Sequence, residues 1–246
     1  MGGAGVSEIR PPLDFLASRG AGEIPETSWP PLKMQTLAPV PPEAFLEIFT
    51  ELEARPLAKN AYRLKSGIGR SQAFGIVNRR CLPPDLSRNC WMRPKLYKLL
   101  LDFAERYVPL QDWHGITVNQ NYAAAPHKDK GNKGFSYLVS FGEYQGGDLQ
   151  IHGTDLSGCY DIRYQPVLFD GSSLEHSVKP FEGKRYSLVF YKLARDDDAV
   201  LLAKRRSYEP LLDDKSNKWR LFRRDENGKL TVFTGLDHPL KGRTKL

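Results

Sequence analysis

The sequence predicts an α+β fold in which N-terminal helices flank an antiparallel β sandwich or barrel. Two observations carry this prediction. Apolar residues recur at helical spacing in two stretches before residue 110. After Pro109 the pattern changes to short apolar stretches separated by glycine and turn residues, with no helical pattern between them. Such a succession of strands favours an antiparallel sandwich or barrel over a βαβ sheet.

Both expected helices are amphipathic. The first lies in EAFLEIFTELEA, where Phe45, Ile48, Phe49 and Leu52 repeat at helical spacing behind a Pro-Pro start. The second, LYKLLLDFAERYV, repeats that pattern up to Val108. The segment between them, SGIGRSQAFGIVNRRCLPPDLSRNC, contains three glycines and a Pro-Pro pair without a helical period, which predicts loop and strand.

The expected strands after Pro109 are GITVNQNY, FSYLVSFGEY, DLQIHG, CYDIRY, PVLFDG and KRYSLVFYKL. Towards the C-terminus, AVLLAKRRSYEPLL predicts a helix, and WRLFRRDENGKLTVF predicts a hairpin that turns at an Asn-Gly pair. We therefore divide the chain into an extended or disordered segment, residues 1–40, and one domain, residues 41–246. The domain comprises a helical and basic substrate-side region 41–110, a β core 111–194 and a C-terminal extension 195–246.

Positive charge is concentrated in one part of the chain. The net charge is +7, and between Arg55 and Lys98 eleven basic residues accompany a single acid, Asp85. The rest of the chain is therefore slightly acidic. A basic block indicates an anionic partner such as nucleic acid, because bound phosphates release counterions. A solvated face whose arginines pair with acids elsewhere would give the same pattern.

Neither a secretory signal nor a membrane span is expected. The N-terminus MGGAGVSEIRPP lacks a basic stretch followed by an apolar one, and no apolar run approaches the ~20 residues that a membrane-spanning helix needs. The cysteines, Cys81, Cys90 and Cys159, leave one thiol unpaired in any disulfide scheme and lack CxxC spacing. The protein is therefore expected in the cytoplasm or the nucleus.

Two histidines and an aspartate form a candidate metal site. His127 and Asp129 are two residues apart, so at an extended strand end their side chains leave the same face. His176 follows in a later strand. Two imidazoles and one carboxylate on one face of an octahedral metal are the ligands expected for a non-haem Fe(II) oxygenase. A lone histidine is more often an ordinary polar or core residue, so this interpretation depends on the residues downstream.

Those residues indicate an anion site. In HSVKPFEGKRYSLVFY, Arg185 and Ser187 share a strand face by the same two-residue spacing. A guanidinium and a hydroxyl could together hold a carboxylate near the metal, the arginine bidentately. A surface arginine is the ordinary alternative, but Arg185 is flanked by apolar strand residues, where an unpaired charge is unfavourable.

On these residues the sequence resembles the Fe(II)- and 2-oxoglutarate-dependent dioxygenases, which carry His-x-Asp, a distal His and an Arg-x-Ser beyond it. The resemblance extends roughly from Gly115 to Leu193 and includes the GEYQGGDL turn and the FDGSSLEHSV approach to the distal histidine. It implies a double-stranded β-helix (jelly-roll, cupin-like) core. It also implies Fe(II) as the metal and 2-oxoglutarate and O2 as cosubstrates, with ascorbate as a reductant.

The resemblance further implies a role for each motif residue. It implies that Fe(II) is bound by His127, Asp129 and His176, and that the distal carboxylate of 2-oxoglutarate is bound by Arg185 with Ser187. The triad and Arg185 are therefore the predicted catalytic residues.

Three other residues bear on the cosubstrate. Asn119 and Tyr122, on the strand before the first ligand, are predicted to contact 2-oxoglutarate, as residues on that strand do in several branches of the family. Prolyl hydroxylases usually place a lysine at the anion site. Lys184 lies on the strand face opposite Ser187, so we prefer Arg185 as the carboxylate ligand.

The substrate is predicted to be a nucleic-acid base. Arg70, Arg79 and Arg80 lie in a glycine-rich stretch near Phe74 and Trp91, a composition suited to phosphate contacts and stacking on an extruded base. The stretch HKDKGNKGFSYLVSFGEYQGGDL also resembles the branch of TET and J-binding proteins, and AlkB-type repair enzymes are comparably similar. We therefore predict oxidation of a methylated or thymine base in DNA or RNA, with the three arginines binding the substrate.

Two other functions stay open. A hydroxylase of the prolyl type, acting on a protein side chain, or a small-molecule hydroxylase would use the same metal site. A non-catalytic nucleic-acid-binding protein on this fold is the second alternative. Loss of a metal ligand would favour the non-catalytic role, whereas all three ligands and the anion site are present, so we prefer the oxidoreductase.

Overall fold

The computed structural model describes residues 34–58, 67–79, 81–195 and 197–235. The helices in these residues are α1 (Leu46–Ala54), α2 (Asn89–Met92), α3 (Pro94–Tyr107) and α4 (Asp198–Arg206), with a 3-10 turn, Pro42–Phe45, directly before α1. The strands are β1 (Met34–Thr36), β2 (Gly67–Arg79), β3 (Leu82–Leu86), β4 (Gly115–Ala124), β5 (Asn132–Gly146), β6 (Leu149–His152), β7 (Gly158–Tyr160), β8 (Val167–Phe169), β9 (Glu175–Val178), β10 (Phe181–Leu193), β11 (Tyr208–Asp213), β12 (Lys218–Arg224) and β13 (Leu230–Val232).

The strands form three antiparallel sheets. The largest has the order β1-β8-β5-β10-β4-β2-β3, and a smaller one has the order β7-β6-β9. The third, β11-β12-β13, is a meander in the C-terminal extension. An apolar core joins the first two sheets and includes Leu138, Leu149, Ile151, Val167 and Phe169. These two sheets carry His176, Arg185 and Ser187, whereas His127 and Asp129 lie in the segment between β4 and β5.

Strand β10 shows how the large sheet separates its two faces. Tyr186, Leu188 and Phe190 are buried in the core on the helical side. Arg185 and Ser187 alternate with them and line a cavity on the opposite side. This alternation follows from the two-residue repeat of a strand. The polar residues of the motif therefore all leave β10 on the face that the helices do not cover.

Helices α1 and α3 cover the outer face of the large sheet. Phe45, at the start of α1, stacks on Phe141 of β5 with ring centroids 4.7 Å apart, and Phe103 of α3 lies 5.0 Å from Phe45. Fully burying one such side chain stabilises the fold by about 1.5–3 kcal/mol. The helices thus fix the large sheet from behind and leave its inner face free for a site.

The predicted α+β class and the antiparallel strands are confirmed. Both predicted amphipathic helices are present as α1 and α3, and the hairpin with the Asn-Gly turn is present as β12 and β13. Of the N-terminal segment, Met34–Thr36 is extended and pairs with β8, and residues 1–33 lie outside the described residues. Among the residues that are described, no helix has the length and hydropathy of a membrane span.

Two expectations need correction. The basic stretch predicted as a substrate-side extension of region 41–110 is β2, an interior strand of the large sheet that pairs with β4, so the sheet begins well before residue 111. The stretch predicted as one C-terminal helix is helix α4 followed by strand β11. Tyr208 and Pro210 are buried on one face of β11, which pairs with β12 as the first strand of the C-terminal meander.

Candidate active site

A cavity of about 580 Å³ lies between the large and the small sheet. Strands β4 and β10 supply polar side chains to its wall, including Asn119, Arg185 and Ser187, and β9 supplies His176. Apolar residues complete much of the wall, namely Ala73, Leu138, Leu149, Phe169, Val178 and Val189. A few convergent polar groups in an apolar wall are the usual composition of a small-ligand site.

The two histidines and the aspartate predicted as metal ligands meet at this cavity. Their ligand atoms all lie within 4.8 Å of one another. His127 Nε2 is 3.7 Å from Asp129 Oδ1, and His176 Nε2 is 4.0 Å from Asp129 Oδ2. The backbone holds them together, because His127 N–H donates to the His176 carbonyl at 3.0 Å and His176 N–H donates back at 2.9 Å.

The tautomer of both imidazoles is fixed by the backbone. His127 Nδ1 lies 2.7 Å from the Ala125 carbonyl, and His176 Nδ1 lies 2.9 Å from the Leu174 carbonyl. A carbonyl can only accept, so each Nδ1 carries the proton and each Nε2 keeps its lone pair for a metal. Burial also lowers the pKa of His176, which favours the neutral form that a metal binds.

The position of Asp129 depends on the close approach of the backbone at Gly171. Its N–H donates to the Gly171 carbonyl at 2.8 Å. A Cβ at Gly171 would lie 3.1 Å from Asp129 Oδ2, so the glycine leaves room for the carboxylate. Two neutral imidazoles and one carboxylate within reach of one ion, with the cavity beside them, fit a facial Fe(II) site with open positions.

Arg185 is the largest fully buried side chain among the described residues and is 2% exposed. Its guanidinium lies over the rings of Tyr144 and Phe181, 5.6 Å from each centroid. Nε has no hydrogen-bond partner, and no described carboxylate forms an ion pair with the side chain. Burial lowers the pKa of Arg185, opposed by Tyr144 and by the charge of Asp148, but an arginine stays protonated at neutral pH. The site thus contains a buried cation without a counter-ion.

Asn119 and Ser187 are directly opposite each other on β4 and β10. Asn119 Nδ2 donates to Ser187 Oγ at 3.1 Å, so the serine hydroxyl proton is free to donate to another acceptor. Asn119 Oδ1 is buried without a partner. Both side chains line the same cavity wall as Arg185, as the sequence predicts.

Tyr122 also lines the cavity, although it lies three residues after Asn119 and simple alternation would put the two on opposite faces. A bulge makes the difference. The register between β2 and β4 shifts between Ile68 and Arg70, and Asn121 adopts a positive φ of 49°. Asn121 Oδ1 in turn accepts the backbone N–H of Arg185 at 2.8 Å, which ties the bulge to the anion site.

Comparison with solved structures bears on the fold. The chain is similar to NgTET1 in complex with 5mC DNA, with a TM-score of 0.50 and 16% sequence identity over 66% of this chain and 72% of that one. It is also similar to a Pseudomonas putida prolyl-4-hydroxylase (TM-score 0.44, 15% identity, 67% and 94% covered). A 2OG-Fe(II) oxygenase family protein from Burkholderia pseudomallei matches with TM-score 0.45 and 18% identity (65% and 84% covered). No family model and no curated protein matches the chain.

The chain has the fold of the 2-oxoglutarate- and Fe(II)-dependent oxygenases. The large sheet and the small sheet are the two sheets of the double-stranded β-helix, so the predicted fold is confirmed. In this oxygenase fold the triad fits Fe(II), since its donor set and free Nε2 atoms are those of a facial site. The uncompensated Arg185, with Ser187 beside it, fits a carboxylate of 2-oxoglutarate.

The contacts of Lys184 exclude it as the alternative to Arg185 for binding the carboxylate. Lys184 forms an ion pair with Glu53 of α1, and its side chain is exposed. The same carboxylate accepts a hydrogen bond from Tyr186. Lys184 therefore lies on the helical side of β10, opposite the cavity that Arg185 lines.

Gly147 is a residue beside Arg185 that the sequence marks only through the GEYQGGDL turn. It has φ +77°, and a Cβ there would lie 2.8 Å from both Cδ and Nε of Arg185. We expect Gly147→Ala to displace the guanidinium and raise the KM for 2-oxoglutarate about tenfold or more, with a stability loss of about 1 kcal/mol.

A matched control separates contact from backbone strain at this position. Gly153 also has a positive φ, +66°, but a Cβ there would meet nothing within 4 Å. Gly153→Ala should therefore lower the melting temperature comparably and leave the KM for 2-oxoglutarate unchanged. Equal KM values in the two variants, measured by succinate formation, would contradict the contact between Gly147 and Arg185.

Arg70 and Arg79, two of the three arginines predicted to bind substrate, do not line the cavity. Arg70 Nη1 donates to the Leu57 carbonyl at 2.8 Å. Arg79 Nε donates to the Pro83 carbonyl at 2.9 Å, and its Nη2 is 3.2 Å from Asp85 Oδ2. Both guanidinium groups thus have partners within the protein. Arg80 lies outside the described residues, so the predicted role of this segment in binding stays a prediction.

The two aromatic residues predicted to stack on a base differ in burial. Phe74 is fully buried and stacks against Tyr97 of α3 at 6.2 Å. Trp91 packs against Phe233, with ring centroids 5.3 Å apart. The prediction that Phe74 contacts a base is wrong, because alternation on β2 directs Phe74 towards the helices while Ala73 lines the cavity. The predicted contact of Trp91 stays a prediction.

Proposed function

We propose that the protein is an Fe(II)- and 2-oxoglutarate-dependent dioxygenase that hydroxylates a C–H bond on a nucleic-acid base. One observation carries the enzyme class. A single cavity holds both a facial His-Asp-His set with free Nε2 atoms and a buried arginine without a counter-ion. A structural metal site would need no such cation, and a simple anion site would need no metal ligands.

Different residues of the chain have different roles in this reaction. Bound Fe(II), together with O2 and 2-oxoglutarate, supplies the oxidising chemistry, in which the cosubstrate becomes succinate and CO2 and one oxygen atom is inserted into C–H. His127, Asp129 and His176 would hold the metal beside the cavity. Arg185 and Ser187 orient the distal carboxylate, and the apolar wall of Leu138, Phe169 and Val189 limits access of water.

The choice of a nucleic-acid substrate has separate support. The chain carries a net charge of +7, and the similar fold of NgTET1 is found in complex with 5mC DNA. A base extruded from its strand would place a planar, largely apolar ring in a cavity of about 580 Å³. Proteins with this fold also include a prolyl-4-hydroxylase, so peptides belong in the same assay.

The test is stimulated succinate release. Purified protein with Fe(II), ascorbate and 2-oxoglutarate is incubated with DNA and RNA oligonucleotides that carry methylated bases or thymine, and separately with proline peptides and free amino acids. We expect release to rise only with an oligonucleotide, and mass spectrometry to find one added oxygen on a base. Stimulation by a peptide or an amino acid alone would replace the proposed substrate class and retain the enzyme class.

A further inference from the structure

The loop that carries Asp129 also carries two lysines without partners. Lys128 and Lys130 are exposed, and both line the cavity. Within the described part of the chain neither forms an ion pair. The nearby Lys133 and Lys192 differ, since they are bound to Asp198 at 2.8 Å and to Asp112 at 2.6 Å. The two unpaired cations therefore stand at the entrance to the metal site itself.

The charges of the loaded site balance without these lysines. The two positive charges of Fe(II) match the two negative charges of 2-oxoglutarate, and Arg185 matches Asp129. Asp129 is the only carboxylate among the described residues that line the cavity, and both histidines are neutral as ligands. Lys128 and Lys130 thus remain without a counter-charge after the metal and the cosubstrate have bound.

We propose that Lys128 and Lys130 bind the backbone phosphates on either side of the target base. This inference rests on the proposed function and names the part of the site that selects the substrate. Apolar residues form much of the cavity wall, and the exposed Lys128 and Lys130 lie at its edge, so a neutral base can enter while the phosphodiester stays beside the lysines.

The lysines suit this role better than the arginines of β2. Arg70 and Arg79 donate to backbone carbonyls, and Arg79 also pairs with Asp85, so a phosphate would have to displace those contacts. The exposed ammonium groups of Lys128 and Lys130 need no such exchange. Each lies one residue from a ligand of the triad, so phosphate bound there positions the neighbouring base at the metal.

The experiment is a salt titration of binding. A fluorescently labelled single-stranded DNA containing 5-methylcytosine is bound to the full chain, and its anisotropy is followed at increasing KCl. Each phosphate contact on a single strand contributes about −0.7 to the slope of log K against log salt. We expect Lys128→Gln/Lys130→Gln to reduce the slope by about 1.4, equivalent to roughly 25-fold weaker binding at about 0.1 M salt.

Two variants control for net charge and for side-chain shape. Lys218→Gln/Lys229→Gln removes the same charge from exposed lysines of the C-terminal meander that do not line the cavity, and should leave the slope unchanged. Lys128→Arg/Lys130→Arg keeps the charge and should keep the slope. A Lys128→Gln/Lys130→Gln slope equal to that of the wild type, or equal losses in the two glutamine pairs, would overturn the inference.

Succinate release in the same samples tells the two proposals apart. If the oligonucleotide stimulates release in the wild type but the glutamine pair keeps the wild-type slope, the oxygenase function stands and the lysine site is wrong. If the slope falls as expected but no oligonucleotide stimulates release, the phosphate site stands and the proposed reaction is wrong. Wild-type binding weaker than about 10⁻⁴ M at low salt, below ordinary non-specific affinity, would overturn both assignments to nucleic acid.

Discussion

Replacing Asp129 or His176 with alanine is expected to abolish 2-oxoglutarate turnover and to weaken Fe(II) binding by more than about 100-fold. Loss of a group that hydrogen-bonds to a metal ligand typically lowers metal affinity 10- to 100-fold. Loss of the ligand itself must lower it at least as much. His127→Ala should behave alike, because its Nε2 lies 3.7 Å from Asp129 Oδ1 in the same cluster. The measurement is iron content after dialysis, together with succinate formation at saturating Fe(II).

The fold should survive the loss of the carboxylate. The Asp129 side chain is 28% exposed, and its backbone N–H bond to the Gly171 carbonyl does not depend on it. Asp155→Ala is the matched control, since this aspartate is exposed and does not line the cavity. An Asp129→Ala protein that keeps its iron and turns over 2-oxoglutarate like the Asp155→Ala control would show that the metal lies elsewhere.

The metal ligands were predictable because their signal is local. His127 and Asp129 are two residues apart, so their side chains stay close together, although both lie after the end of β4 and not within a strand as expected. Within a strand, two-residue spacing puts side chains on one face. The same rule pairs Arg185 with Ser187, and the structure places both on the cavity wall. What the sequence does not contain is the β bridge between His127 and His176, which depends on where the small sheet packs.

Tyr122 shows where the strand rule fails. Alternation from Asn119 would direct it to the helical side, and only the bulge at Asn121 returns it to the cavity. A single asparagine in a strand sequence does not predict a positive φ, because the position of the bulge depends on how β4 pairs with the glycines of β2. A Cβ at Gly69, for example, would lie 2.1 Å from the Asn121 carbonyl oxygen.

The basic stretch before the β core shows a related limit of the sequence. Charge along a sequence does not reveal which guanidinium groups find partners inside the fold. Arg93 is only 4% exposed and donates to backbone carbonyls of Glu51 and Arg55, and Lys95 pairs with Glu51. Arg93 and Lys95 therefore join α1 to the start of α3, whereas Lys128 and Lys130, which form no ion pair among the described residues, lie beside Asp129.

Replacing Arg185 should separate cosubstrate binding from metal binding. We expect Arg185→Ala to raise the KM for 2-oxoglutarate about ten- to hundredfold, since a charge-assisted hydrogen bond of about 1.5–3 kcal/mol is lost. Fe(II) affinity should change far less, because no triad atom contacts the guanidinium. Arg185→Lys should restore only part of the affinity, since an ammonium cannot reproduce the bidentate geometry.

Burial of Arg185 requires a control for packing. Arg163 also lies over the Tyr144 ring, 5.3 Å from its centroid, and donates to the Tyr144 carbonyl, yet it does not line the cavity. Arg163→Ala should therefore loosen Tyr144 without raising the KM for 2-oxoglutarate. If it raises that KM as much as Arg185→Ala does, the arginine at 185 acts only by supporting the aromatic wall. If only the variants at 185 raise it, the guanidinium itself binds the carboxylate, because the two arginines share a ring but only one of them reaches the cavity.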